Sequence, residues 1–162
     1  MATKTRIGTV GWALRGAAAG AAGTTALDAV TYLDMTVRGR GTSSTPEQTV
    51  ERLAGLAHVP IPGDGRTRPN RVQGLGALSG AVVGVGVGVL AGLARAAGLR
   101  SAAPLGTALV TGTVLVAANG PMTALGITDP RTWSRTDWLS DLLPHVAYGV
   151  VVATTLAAFD RP

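Results

Sequence analysis

The sequence predicts an all-α integral membrane protein, a four-helix bundle of membrane spans with a short amphipathic helix in the first loop. The run Val72–Ala94 contains 23 residues and no charge, and about 20 apolar residues suffice to cross a bilayer. Charged residues make up only 14% of the 162-residue chain, against about 25% in soluble domains. Further uncharged runs alternate with polar segments, which favours several spans in a single membrane domain, residues 1–162.

The four predicted spans cover about residues 11–33, 72–94, 102–119 and 142–159. Pro104 and Pro144 stand early in the last two spans, where a missing N–H costs a helix little. Asn119-Gly120-Pro121 is predicted to end or kink the third span, because proline clashes with the preceding turn. Trp133, Trp138 and Tyr148 are predicted to anchor the start of the fourth span at the membrane interface.

The first span is the least hydrophobic, since Arg15 and Asp28 interrupt a run of alanine and glycine. A cleaved signal peptide is the alternative, because Lys4 and Arg6 precede this small-residue run. The scarcity of leucine and the position of Arg15 favour a retained helix.

A polar loop, residues 34–71, separates the first two spans. Thr45 followed by Pro46, with Gln48 after them, indicates a helix start. Apolar residues then recur at helical spacing as far as about Ala57, which predicts the amphipathic helix. The segment His58–Arg71 holds three prolines and two glycines and is predicted to be an extended loop.

Charge distribution predicts the topology. Four spans place both termini on one side, together with a set of basic residues and a single acid, Asp160; the basic residues are Lys4, Arg6, Arg15, Arg95, Arg100 and Arg161. Basic residues close to spans face the cytoplasm, so both termini are predicted to be cytoplasmic. Abundant Ala, Gly, Val and Arg with one Lys indicates a bacterial chain, and hence the inner membrane.

Several classes of function are disfavoured by composition and motifs. The chain has no cysteine, which excludes disulfides, thiolate metal sites and cysteine nucleophiles. Asp141 and His145 share a helical face, but without a third ligand or a nucleophile they predict neither zinc nor hydrolysis. We therefore expect no enzyme activity, no cofactor and no metal. The net charge of +5 is spread between apolar runs, so the expected partner is the lipid bilayer and not nucleic acid.

Glycines at four-residue spacing give the strongest packing signal. They predict a groove in which another helix approaches closely; the second span contributes Gly76, Gly80, Gly84, Gly88 and Gly92, and the first contributes Gly16 and Gly20. A helix in this groove could belong to the same molecule, to another copy, or to another membrane protein.

Three polar residues are the candidates for chemistry. At about 1.5 Å per residue, Asp28, Asn119 and His145 fall at a similar depth, and Thr24, Thr25 and Tyr32 are near enough to join them. Ionisable groups inside a span usually face protein or water. A proton-handling cluster, an interhelical hydrogen-bond set without chemistry, and an Asp28 that reaches the interface are three alternatives.

Three short runs carry a family resemblance: Gly16–Gly20, Gly120–Gly126 and Pro144–Gly149. On these, and on Leu27–Arg40 with Ser43–Glu47, the chain resembles the YagU-like (DUF1440) bacterial inner-membrane proteins and related actinobacterial membrane proteins. The resemblance implies a four-span inner-membrane protein and transfers no catalytic residue. We expect a non-enzymatic protein that acts through helix packing or assembly; the alternative is a small transporter or proton-linked component using Asp28 and His145.

Overall fold

The computed structural model describes residues 7–160 and consists, over that range, of helices and connecting loops. The α-helices are α1 (Thr9–Arg38), α2 (Thr45–Leu56), α3 (Thr67–Ala96), α4 (Ala103–Ala124) and α5 (Arg135–Phe159). A short 3-10 helix, Pro130–Thr132, precedes α5. The predicted all-α class is confirmed.

The four long helices form an up-down-up-down bundle. Helix α1 packs against α3 and α5, α4 packs against α5, and α3 and α4 touch over a shorter stretch. Helix α2 lies on the first part of α3. The core joins Trp12 and Ala19 of α1 to side chains of the other three helices, namely Val87, Val114, Tyr148, Val152 and Leu156.

Three helices are long and apolar enough to cross a membrane: α3, α4 and α5. Their length and composition indicate a membrane protein. The sequence-based count of four spans is not reproduced, because α1 fails on composition over the described residues. Besides Arg15 and Asp28, this helix carries Asp34 and Arg38 near its end, and alanine and glycine contribute little hydropathy.

The helix ends differ from the predicted ones at several places. Helix α3 starts at Thr67, so the end of the predicted loop His58–Arg71 is helical. Helix α4 continues past Asn119 to Ala124 with Pro121 inside; because proline has no N–H, the Ala117 carbonyl loses its usual backbone donor. Helix α1 ends at Gly39, whose φ of 62° is the left-handed conformation that glycine adopts without strain.

The start of α5 is fixed by a capping box. The Ser134 hydroxyl accepts from the Asp137 backbone N–H at 3.2 Å, and the Asp137 carboxylate accepts from the Ser134 N–H at 2.9 Å. Such reciprocal bonds satisfy two of the free donors at a helix start. Because the helix begins at Arg135, Pro144 lies in its interior and is buried, rather than early in the helix as predicted.

Candidate functional site

The closest helix contact is a glycine seam between α1 and α3, formed by Gly16, Gly20, Gly84, Gly88 and Gly92. An ideal Cβ on Gly88 would lie 2.5 Å from the Gly20 Cα, and one on Gly20 would lie 2.6 Å from the Gly84 carbonyl oxygen. No side chain fits at such distances. The two backbones therefore touch directly, which is how small residues bring membrane helices together.

The remaining two glycines of the predicted ladder do not join this seam. Gly76 faces α2, where an ideal Cβ would lie 3.3 Å from the Pro46 Cβ. Gly80 is exposed, with no neighbouring atom within 4 Å of an added Cβ. The reason is helical geometry: a step of four residues overshoots one turn of 3.6 residues by about 40°, so the ladder turns from α2 to α1 along its length.

Tyr148 lies in the centre of the bundle and not at the membrane interface, which corrects its predicted anchoring role. Its side chain is 0% exposed, and its hydroxyl donates to the Gly84 carbonyl oxygen at 2.6 Å. Gly23 of α1 leaves room for its ring, since an ideal Cβ there would lie 2.7 Å from the Tyr148 Cδ2. The tyrosine thus links α5 to α3 beside α1.

Trp133 lies just before α5, and Trp138 lies in its first turn. Their rings pack edge to face with centroids 5.0 Å apart, and the Trp133 indole N–H donates to the Thr128 hydroxyl at 2.8 Å. The packed indole rings form an apolar surface, and the Trp133 N–H gives it a polar end. Aromatic residues at membrane interfaces combine these two features.

A polar cluster of Asn119, Asp141 and His145 joins α4 to α5. The Asn119 side-chain amide donates to the Asp141 carboxylate at 2.9 Å. The His145 Nδ1 lies 2.6 Å from the Asp141 carbonyl oxygen and 3.6 Å from its carboxylate. Because a carbonyl oxygen can only accept a hydrogen bond, this contact assigns a proton to Nδ1. The Nε2 atom takes no part in it. Two predicted site residues thus meet through Asp141.

Asp28 does not reach this cluster. Its side chain is exposed on α1, and within residues 7–160 no hydrogen bond or ion pair involves it. The position of Asp28 along the bundle axis agrees with the prediction. Gly23 and Asp34, which precede and follow it in α1, lie near Tyr148 and Ser140 of α5. The predicted grouping of Asp28 with Asn119 and His145 is wrong. The small-residue face of α1 packs into the bundle, and Asp28 therefore points outward.

The threonines that were candidates to join the cluster bond within their own helix. Thr24 and Thr25 donate to the carbonyl oxygens four residues earlier, at 3.0 and 3.1 Å, and Tyr32 is exposed. On the α4 face toward α5, Thr111 has a buried hydroxyl with no partner in the described part of the chain. Thr107 and Thr111 are four residues apart, and Asn119 follows eight residues after Thr111; this repeat at multiples of four is the signal that sequence reasoning missed.

At the opposite end of the bundle lies a basic corner, formed by Arg15, Arg95, Arg100 and Asp160. Arg95 and Arg100 both bond the Asp160 carboxylate. The Arg15 guanidinium lies 5.5 Å from the ring centroids of both Trp12 and Phe159. The resulting cation–π contacts hold this arginine between two aromatic rings.

No enclosed reaction chamber is evident in the described residues. One open apolar groove of about 450 Å³ lies between Val59–Pro62 and the α3 residues Leu75 and Leu78. A second hollow, of about 340 Å³, borders the loop before α5. There the Arg131 side chain bonds the Asp129 carboxylate and lowers its pKa, which favours the charged carboxylate. Residues 7–160 contain no group of three His, Cys, Asp or Glu arranged to hold a metal ion.

No family model, curated protein or solved structure matches the chain, so a function has to be argued from its own geometry.

Proposed function

We propose that the protein is a non-enzymatic integral protein of the bacterial inner membrane that crosses it four times and acts through helix packing with itself or another membrane protein. The observation that carries the proposal is the placement of apolar residues. Only 22%, 17% and 39% of the most apolar windows of α3, α4 and α5 are buried. Most of these residues face outward, as lipid requires and as water disfavours.

The inclusion of α1 as the fourth span rests on its contacts. Along the glycine seam, α1 packs against the part of α3 that lies inside the uncharged run Val72–Ala94. If α3 crosses the membrane, the part of α1 against it is at membrane depth as well. The outward residues Leu14, Ala18, Ala21 and Ala22 carry no charge, so this part of α1 suits lipid although its mean hydropathy is low.

The assembly role concerns the outer surface, since the glycine seam is occupied within the chain. The open glycines Gly74, Gly80 and Gly86 of α3 lie outside it, and small exposed residues permit close approach of another helix. The resemblance to four-span inner-membrane proteins supports the same class. The charge distribution supports cytoplasmic termini; Lys4, Arg6 and Arg161, which contribute to it, lie outside the described residues.

Single-cysteine labelling tests the topology, and the chain is suited to it because it has no native cysteine. Gly41→Cys follows α1, and Leu99→Cys lies between α3 and α4, both at exposed positions. We expect a membrane-impermeant maleimide to label Gly41→Cys in spheroplasts and to label Leu99→Cys only after lysis. A tag at the N-terminus should share the side of Leu99→Cys. A tag on the side of Gly41→Cys would contradict the crossing of α1.

A second candidate function, a proton-linked membrane component, is favoured by the polar cluster. Asp141 and His145 are largely buried and lie against each other on α5, and the Asp141 carboxylate accepts from Asn119 of α4. Ionisable residues within spans often serve proton pathways. We expect pH-dependent flux in proteoliposomes to be lost in His145→Gln and kept in Asp28→Asn, whose parent side chain is outside the cluster. Absence of flux with the native protein, or its loss only in Asp28→Asn, would count against this candidate.

A further inference from the structure

The basic corner is short of negative charge. It contains three arginines and one carboxylate, that of Asp160, which accepts from both Arg95 and Arg100. Arg15 has no ion-pair partner within residues 7–160, and its Nη1 is buried without a hydrogen-bond acceptor there. A buried charged donor without a partner destabilises the fold until an acceptor reaches it. The corner therefore has two positive charges in excess and one buried donor that lacks an acceptor.

The three arginines contact two consecutive residues, Phe159 at the end of α5 and Asp160 directly after it. Arg15 lies against the Phe159 ring, and Arg95 and Arg100 contact Asp160 beside it. They come from three different segments: α1, the end of α3 and the α3–α4 loop. Arg95 and Arg100 already share one anionic group, the Asp160 carboxylate, and arginines grouped in this way suit the several oxygens of a phosphate group.

From this arrangement we infer that the basic corner binds the phosphate headgroup of an anionic phospholipid. The inference rests on the proposed membrane location. The corner stands where α3 and α5 end, the level at which headgroups lie. Trp12 and Phe159 present apolar surface beside the guanidinium of Arg15, so a lipid meets cations and apolar rings together. Basic pockets between the ends of membrane helices bind anionic headgroups in this way.

Native mass spectrometry of the detergent-solubilised protein tests the inference, with phosphatidylglycerol and phosphatidylcholine as probes. We expect tighter binding of phosphatidylglycerol, and about fivefold weaker binding when one arginine is removed, in Arg15→Gln and in Arg100→Gln. Arg100 is 55% exposed, so its variant keeps the test valid if Arg15→Gln fails to fold. Arg131→Gln is the control, because Arg131 pairs with Asp129 in the loop between α4 and α5.

Equal binding of the two lipids by the native protein, or equal weakening in Arg131→Gln, would overturn the inference. Displacement of phosphatidylglycerol by millimolar inorganic phosphate would identify a free-anion site and overturn the assignment to lipid. The membrane location fails separately: a chain released from membranes by alkaline carbonate would contradict the four-span proposal, whereas a membrane-embedded chain without lipid preference contradicts only the arginine site.

Discussion

Replacing Gly88 with alanine is expected to destabilise the bundle, although alanine is the better helix former. The added methyl would lie 2.5 Å from the Gly20 Cα and 2.7 Å from its N, and backbone atoms cannot rotate away as a side chain can. Helices α1 and α3 would have to separate along the glycine seam. Overpacking of this kind costs about 1–3 kcal/mol, which we expect to be measured as an earlier SDS-induced unfolding transition by circular dichroism.

Gly80→Ala is the matched control, on the same helix and in the same four-residue series. Nothing lies within 4 Å of the added methyl, so the substitution should be neutral or stabilise by up to about 1 kcal/mol through helix propensity. The two variants should thus shift the transition in opposite directions. Equal shifts would show that glycine content alone, and not direct backbone contact, determines stability.

Tyr148→Ala is expected to have the largest effect of any single truncation. The side chain is fully buried and contacts α1, while its hydroxyl bonds the Gly84 carbonyl of α3. Truncating a large buried aromatic side chain costs about 3–5 kcal/mol. Tyr148→Phe keeps the ring and loses only the hydrogen bond, so its expected cost is about 1 kcal/mol. Both are measured by the same SDS titration.

Tyr32→Ala serves as the control for this series. Tyr32 is 58% exposed on α1, and exposed substitutions usually change stability by no more than about 0.5 kcal/mol. If Tyr32→Ala and Tyr148→Ala unfold at the same SDS fraction, the central position of Tyr148 is refuted.

The helical architecture could be predicted from sequence because length and charge-free runs constrain it directly. The run Val72–Ala94 lies within α3, and the helix start predicted at Thr45 and Pro46 is the start of α2. Helix ends were less predictable. Pro121 predicted an end near Asn119, but α4 continues to Ala124 although the proline leaves the Ala117 carbonyl without its usual backbone donor.

At the candidate site, the main error of the sequence-based prediction was the direction in which side chains point around the helix axis. Depth along a helix follows from residue number, and it placed Asn119 and His145 at a level where both contact Asp141. Rotation around the helix axis depends on which face packs, and in α1 the glycine face packs and turns Asp28 outward. Tyr148 shows the same limit: an aromatic residue suits both an interface and a core, and only the space at Gly23 decides between them.

The position of α1 has a consequence for biogenesis. It leaves the ribosome before the helices that it packs against: Gly20 meets Gly84, and Gly23 meets Tyr148. Translation of about 125 residues at about 5–20 residues per second takes on the order of ten seconds. During that time a weakly hydrophobic segment lacks the surfaces that will enclose it. As the fourth span proposed above, α1 would gain its full set of neighbours only when α5 emerges, so the later helix completes the environment of the earlier one.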